Sequence, residues 1–201
     1  MITKLSLPLL LVLLLCTCVR AQNTLTVCNS GCDHTTITAA IAAATAGDVV
    51  DIQDAVHTEA AIVVDKDLTV QGQGQTVTTI QAAAEDAVFI VNAGLTVIFQ
   101  NLTVRHGIAL ATGASDLEDG GGIYVACDDD TDLSVINVTV TNNRSREDGG
   151  GIYLDGSGGA ATFVNCVISN NEADITDFSA GGGGLYNTAV DQLTLENCSI
   201  V

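Results

Sequence analysis

The chain repeats the block Gly120-Gly121-Gly122-Ile123-Tyr124 as Gly149-Gly150-Gly151-Ile152-Tyr153 and again as Gly182-Gly183-Gly184-Leu185-Tyr186. The blocks begin 29 and 33 residues apart, and no helical hydrophobic period lies between them. A period of this length with short β-type segments is typical of a solenoid that stacks one coil on the next. The glycine triplets predict corners, because glycine accepts positive φ and close backbone contact at low cost.

A second unit recurs between the glycine blocks. It reads VIFQNLTV at 97–104, LSVINVTV at 133–140, ATFVNCVI at 161–168 and LTLENCSI at 193–200. Apolar residues at every second position predict strands with one buried face. Aligning the four copies superposes Asn101, Asn137, Asn165 and Asn197. We expect an inward column of amides at a bend, which hydrogen-bond along the stack and to backbone groups of the corner. The pattern predicts an all-β fold, a right-handed parallel β-helix.

The N-terminal part predicts a cap followed by the first coils. In ITAAIAAATAG (37–47), apolar residues recur at helical spacing, with Thr36 available as N-cap and Gly47 as terminator. A short helix there covers the open end of the stack. Strand-like segments follow at 49–52, 61–64, 68–70, 77–80 and 87–91.

The first 21 residues have the composition of a secretory signal: Lys4, a short apolar run and small residues before a cleavage point after Ala21. We therefore expect a signal peptide at 1–21, a β-helix domain at 22–201 and a secreted or cell-surface protein with no transmembrane segment. Residue 201 ends a strand with no capping element after it, which predicts a domain truncated at its C-terminal end.

The composition is strongly acidic, with 24 Asp and Glu against 6 Lys and Arg and a net charge of −18. Cleavage after Ala21 would remove Lys4 and Arg20 and leave 4 basic against 24 acidic residues, a net charge of −20. Such a surface repels nucleic acid and anionic lipid. Cys28 and Cys32 flank a tight turn and predict a local disulfide; Cys166 and Cys198 either pair or stack as small apolar residues.

These residues resemble the pectin lyase-like right-handed parallel β-helix superfamily. The stretch TITAAIAAATAGDVVDIQDAVHTEAAIVVDKDLTVQGQGQTVTTIQA (36–82) is similar to its N-terminal cap and first turns. The later coils resemble the glycine-rich repeats of polymorphic outer membrane proteins and related bacterial surface proteins, through GGGIY and the Asn-Asn turns. The likeness spans roughly residues 25–201. Ala55-Val56-His57-Thr58-Glu59 keeps only the acid of a Gly-x-Tyr-x-Glu stretch frequent near the cap of the superfamily.

The sharpest candidate site is a pair of aspartates. Asp119 precedes the first glycine block and Asp148 the second, so the two carboxylates are expected about one strand spacing apart. Like charges this close need solvent, a proton or a cation between them, and calcium accepts such oxygens at flexible geometry. The alternative is two loop carboxylates turned into water. Asp128, Asp129, Asp130 and Asp132 form a further acidic loop, expected to be solvated.

No catalytic residue is assigned. A lyase of this fold would need a basic residue beside calcium-binding aspartates, and Arg105 with His106 or Arg144 with Arg146 are the candidates. The sequence favours a non-catalytic surface module for adhesion or for contact with an extracellular polysaccharide or cell-surface glycan. The alternative is a calcium-assisted polysaccharide lyase or glycoside hydrolase. In a eukaryotic host, N-glycosylation is expected mainly at Asn143.

Overall fold

The computed structural model describes residues 21–110, 117–173, 181–188 and 190–201. The predicted signal peptide therefore lies outside the described residues, apart from Ala21. One α-helix is described, α1 (Ile37–Ala43). In chain order the strands are β1 (Thr24–Val27), β2 (Asp48–Ile52), β3 (Val56–Thr58), β4 (Ile62–Val64), β5 (Leu68–Gln71), β6 (Thr79–Gln81), β7 (Phe89–Val91), β8 (Thr96–Arg105), β9 (Ile108–Ala109), β10 (Ile123–Cys127), β11 (Asp132–Thr141), β12 (Arg144–Ser145), β13 (Ile152–Gly156), β14 (Ala160–Val164), β15 (Val167–Ser169), β16 (Glu172–Ala173), β17 (Leu185–Asn187), β18 (Gln192–Glu196) and β19 (Ser199–Ile200).

These strands form three parallel sheets that run along the molecule. The long sheet follows the order β1-β2-β5-β8-β11-β14-β18, with β3, β6, β15 and β19 beside it. The middle sheet has the order β17-β13-β10-β7-β4, and the short sheet has the order β16-β12-β9. Each passage through the three sheets is one coil, and the next coil pairs with it in register. The protein is a parallel β-helix, as the repeats predict.

The register confirms the alignment of the repeats. Leu133 pairs with Val97 and with Ala161, which pairs with Leu193, and Ile152 pairs with Ile123 and Leu185. The inward residues of successive coils form one apolar core, which includes Phe89, Phe99 and Phe163, all fully buried. Because each coil buries its inward face against the coils beside it, the repeat sequence and the stacked fold imply each other.

The aligned asparagines form a hydrogen-bonded column at a bend, as predicted, but they lie at the corner and do not point into the core. Asn101, Asn137, Asn165 and Asn197 adopt positive φ between 53° and 58°, and the side chains of the last two are exposed. Asn137 donates to Asn101 and Asn165 donates to Asn137, each through Nδ2 to Oδ1 at 3.2 Å. Asparagine suits this position because it tolerates the left-handed region. The column bends the long sheet and links consecutive coils.

A different pair of stacked asparagines consists of the buried Asn143 and the half-buried Asn171. Asn143 is 1% exposed, accepts from the Gly107 amide at 2.9 Å and donates to the Val104 carbonyl and to Oδ1 of Asn171. Asn171 in turn donates to the Val140 carbonyl at 2.9 Å. The expectation of a glycan at Asn143 is wrong, because its side-chain nitrogen is enclosed and already donates two hydrogen bonds.

The glycine triplets combine two backbone requirements. The first glycine of each triplet has positive φ, 65° at Gly120 and 58° at Gly149. The second lies against the backbone of the next coil, so that a Cβ built on Gly121 would sit 2.2 Å from the carbonyl oxygen of Arg144. A side chain at that position would push the coils apart.

The helix α1 caps the N-terminal end. Thr36 is its N-cap, with the side chain accepting from the Ala39 amide at 3.1 Å. Ile37, Ala40 and Ile41 are buried against the first coils. The helix ends at Ala43, earlier than a termination at Gly47 implies, because Gly47 forms a positive-φ turn into β2 (φ 89°).

The strands β1 and β3 are additions to the segments that the sequence indicates.

Candidate functional site

Asp119 and Asp148 lie side by side on neighbouring coils. The backbone amide of Asp148 donates to Oδ1 of Asp119 at 2.7 Å, and the amide of Gly181 donates to Oδ1 of Asp148 at 2.5 Å. The Gly120 amide also donates to the Asp148 carbonyl at 3.1 Å. Each carboxylate thus caps an amide of the following coil. This capping role explains why aspartate recurs before the glycine triplet, and it requires no bound ligand.

A column of tyrosines runs beside the aspartates on the outer face of the middle sheet. The rings of Tyr124 and Tyr153 stack with centroids 5.7 Å apart, and those of Tyr153 and Tyr186 with centroids 5.6 Å apart and planes only 3° from parallel. The residues on either side of Tyr124, Ile123 and Val125, are fully buried, so the tyrosine itself faces outward. The hydroxyl of Tyr124 donates to Oδ2 of Asp155.

The electrostatics of this face are dominated by negative charge. Burial raises the pKa of Asp119, and the charges of Asp148, Asp155 and Glu118 raise it further, against the lowering effect of the Asp148 amide. Burial and the neighbouring carboxylates also raise the pKa values of Tyr124 and Tyr153. Both phenols therefore stay protonated at physiological pH, and that of Tyr124 donates to Asp155.

The number of available ligands bears on the prediction that Asp119 and Asp148 bind calcium. Calcium takes roughly six to eight oxygen ligands. Within the ranges that the structure describes, no group of three or more His, Cys, Asp or Glu side chains is placed to hold one metal ion. One oxygen of each predicted ligand, Asp119 and Asp148, already accepts a backbone amide. Calcium binding by this pair stays a prediction.

The basic candidates for a lyase divide between separate places. Arg105 donates through Nε and Nη2 to Oε1 of Gln81, at 3.2 and 3.0 Å. Arg146 pairs with Glu118. His106 and Arg144, by contrast, line one groove. The structure therefore brings together one residue from each predicted pair.

That groove, the corner groove, lies where the long sheet turns into the short sheet and has a volume of about 390 Å³. It is lined by His106, Ile108, Asn142, Asn143, Arg144, Asn170 and Glu172. His106, Asn142 and Asn170 occupy one exposed row with φ of 60°, 55° and 54°. Ile108, Arg144 and Glu172 form a second row, in register across β9, β12 and β16. Donors, acceptors and an apolar side chain thus face one shallow cavity.

The acidic loop after β10 is organised internally. Oδ1 of Asp128 accepts from the Asp130 amide at 3.1 Å and from the Thr131 hydroxyl at 2.9 Å. Asp129, Asp130, Asp132 and Asp191 line an open depression of about 360 Å³ beside it. The loop hydrogen bonds explain Asp128, whereas Asp129, Asp130 and Asp132 are exposed to solvent, as expected for a solvated acidic loop.

The cysteines follow the sequence interpretation. Cys28 and Cys32 form a disulfide, and Cys127, Cys166 and Cys198 are free. Cys166 is fully enclosed and Cys198 packs against the same core, so the two stack rather than pair. Burial raises the pKa values of Cys127 and Cys166 to about 11. These two thiols stay protonated and are poor nucleophiles.

Comparison with known proteins supports the fold. Residues 137–163 match the model of the Chlamydia polymorphic membrane protein repeat. A crystal structure of pectin methylesterase in complex with a hexasaccharide is similar over 88% of this chain and 67% of the other, at 17% identity and a TM-score of 0.52. The chain has the pectin lyase-like β-helix fold. At this identity the likeness concerns the fold alone, and no curated protein sequence matches the chain.

Two features of the β-helix escaped the sequence interpretation. The tyrosine column was visible as the last residue of each GGGIY or GGGLY block, but its outward position follows only from the alternation of burial along β10. The sequence did not indicate the corner groove, because each of its two rows takes only one residue from each of three coils.

Among the described residues, no helix has the length and apolarity needed to span a membrane.

Proposed function

We propose that the protein is a non-catalytic, secreted or surface-displayed β-helix that binds a polysaccharide in the corner groove. The observation that carries this proposal is the juxtaposition of two in-register rows of polar side chains on three consecutive coils. The repeat of the matched membrane protein supports a surface location, and the hexasaccharide complex of the fold neighbour supports an oligosaccharide as ligand.

The chemistry of the groove suits sugar hydroxyl groups. Asn142 and Asn170 each offer an amide donor and a carbonyl acceptor, Arg144 offers donors and Glu172 accepts. Coils are stacked at about 4.8 Å, so each row of three residues extends over about 10 Å along the axis. Ile108 supplies an apolar patch beside them. A few polar groups converging on a partly apolar cavity are what small-ligand sites generally present.

The same residues do not form a set of groups for bond cleavage. Glycoside hydrolysis generally uses two carboxyl groups on either side of the bond, roughly 5 to 9.5 Å apart. Among the side chains that line the corner groove, Glu172 alone carries a carboxylate. Arg105, one of the bases considered for a lyase, donates to Gln81 and lies outside the lining. Binding without turnover is therefore the function that the groove supports best.

The net charge narrows the ligand class. At −18, the molecule repels polyanions at long range. We therefore expect a neutral polysaccharide to bind more tightly than a polyuronate.

The test is binding of the purified chain to neutral and acidic polysaccharides, measured by affinity electrophoresis and calorimetry. Asn142→Gly and Asn170→Gly remove the amides and keep the left-handed backbone. Asn197→Gly is the matched control, because Asn197 has a similar φ of 53°, against 55° and 54° in the groove, and lies outside the groove.

We expect the double groove variant to lose about tenfold or more in affinity, equivalent to about 1.4 kcal/mol, with the control unchanged. Equal losses in groove and control variants would refute the site. Release of unsaturated uronates or of new reducing ends would refute the non-catalytic function and favour the lyase or hydrolase.

A further inference from the structure

We infer that the outer face of the middle sheet docks an extended, basic peptide segment of a partner protein. This face carries a continuous stripe of apolar and aromatic side chains at equivalent positions on five coils: Val63, Ile90, Tyr124, Tyr153 and Tyr186. We call it the tyrosine stripe. Val63 is 43% exposed although it lies on a strand. The stripe belongs to a different sheet from the corner groove.

The way the tyrosines stack indicates what they can bind. Tyr153 has one face against Tyr124 and the other against Tyr186 and is only 8% exposed. Its ring faces are therefore unavailable for stacking on a sugar, and the accessible members of the stripe are Val63 and the half-buried Ile90, Tyr124 and Tyr186. A ridge of this kind fits the side chains of an extended peptide, which alternate along the strand.

Carboxylates flank the tyrosine stripe on both sides. Asp119 and Asp148 precede the glycine triplets at one edge, and Asp155, two residues after Tyr153, accepts the Tyr124 hydroxyl at the other. The mutual repulsion that contributes to the raised pKa of Asp119 would be relieved by a cation. A lysine or arginine on the partner supplies that charge and needs only a few acceptor oxygens.

The other occupants fit less well. A second copy of the chain would place the carboxylates of one stripe against those of the other, which is unfavourable for a molecule of net charge −18. A single metal ion would need ligands that converge, and the described side chains form no such group. The stripe extends over five coils, about 19 Å, which matches about six residues of extended peptide, and its carboxylates flank the coils of Tyr124 and Tyr153.

The experiment is fluorescence anisotropy with a labelled peptide of alternating lysine and valine and with its glutamate–valine counterpart. The variants are Asp119→Asn and Asp155→Asn, since asparagine keeps the acceptor oxygen for the Asp148 amide and for the Tyr124 hydroxyl. The matched control is Asp129→Asn with Asp191→Asn, which also removes two negative charges, but from the acidic depression. Val63→Ser tests the apolar part of the stripe.

We expect the lysine peptide alone to bind, the stripe variants and Val63→Ser to weaken it about fivefold or more (about 1 kcal/mol), and the control to change it less than about twofold. Equal weakening by the control would show general attraction to acid and refute the stripe. Displacement by calcium chloride well beyond sodium chloride of equal ionic strength would assign the carboxylates to a metal and also refute it. Asn142→Gly should leave peptide binding intact, which separates this test from that of the corner groove.

Discussion

Ser145 is a polar residue at a position that apolar residues occupy on the neighbouring coils. It is fully buried between the equivalent positions Ala109 and Ala173, and its hydroxyl has no hydrogen-bond partner among the residues that the structure describes. A buried hydroxyl without a partner costs about 1–3 kcal/mol. We predict that Ser145→Ala raises the free energy of unfolding by about 1 kcal/mol, measured by urea denaturation. Ser134→Ala, on the outward side of β11, is the control; a loss of stability in Ser145→Ala would show that the hydroxyl has a function in the fold.

Asn143 shows what a local motif cannot predict. The triplet Asn143-Arg144-Ser145 has the form of a glycosylation acceptor, yet both Asn143 and Ser145 are buried. Burial at this corner follows from residues far away in the chain, since the amide bridges Gly107, Val104 and Asn171. Three residues carry no information about contacts across 28 to 39 positions of sequence.

Among the elements, α1 depends on an acid from the next coil. Glu59 accepts the Ile37 amide at 2.7 Å and the Thr38 amide at 3.0 Å, and His57, 4% exposed, lies 3.1 Å from it through Nε2 and 3.5 Å from Asp54 through Nδ1. Burial alone would raise the pKa of Glu59, but the hydrogen bonds from His57, Thr38 and Ile37 hold it at about 2. The hydrogen bond to Glu59 raises the pKa of His57, against burial, with Asp54 adding to the rise.

These shifts predict a stability maximum in mildly acidic solution. The contribution of Glu59 is complete above its ordinary pKa of 4.5 and is lost as the pH falls towards about 2. The contribution of His57 is complete below 6.5 and is lost as the pH rises through its raised pKa. We predict that urea denaturation gives lower stability at pH 8.5 than at 5.5, and that His57→Gln reduces this difference. An equal difference in the variant would contradict the assignment to His57.

The glycine triplets set the distance between coils. We predict that Gly121→Ala lowers the free energy of unfolding by about 3 kcal/mol or prevents folding, because its Cβ would lie 2.2 Å from the Arg144 carbonyl oxygen. Gly94→Asn is the comparison, since Gly94 has φ of 72° but its nearest neighbour would be 3.4 Å away, and asparagine tolerates that backbone. Thermal unfolding by circular dichroism measures both; since Gly94 has positive φ and Gly121 does not, similar losses would contradict the assignment of the Gly121→Ala loss to coil spacing.

The sequence predicts this architecture well wherever the repeats are long. The register of the glycine blocks and of the four asparagine units follows from alignment alone, because stacking places like residues on like. It does not predict that Gln100 and Asn101 both face away from the core, since the bend at Asn101 interrupts the alternation. Nor does it predict the corner groove. One row of this groove consists of His106, Asn142 and Asn170, which lie beyond the ends of the aligned strand segments.

At the scale of the whole molecule, charge opposes folding. With a net charge of −18, repulsion among carboxylates is relieved when the chain expands. Salt shortens the screening length from about 30 Å at 0.01 M to about 8 Å at 0.15 M. We predict that sodium chloride raises the melting temperature by about 2–6 °C over this range, which corresponds to about 1–2 kcal/mol for a domain of this size. An unchanged melting temperature would show that the acids are already locally compensated.

Calcium chloride at matched ionic strength separates screening from binding. If the carboxylates act only through their summed charge and the amide caps at Asp119 and Asp148, the two salts should raise the melting temperature nearly equally. A bound ion adds stability as the logarithm of its concentration over its dissociation constant, about 2.7 kcal/mol at a hundredfold excess. A calcium surplus that disappears in Asp119→Asn and persists in Asp129→Asn would establish the aspartate pair as a metal site and remove those carboxylates from the tyrosine stripe.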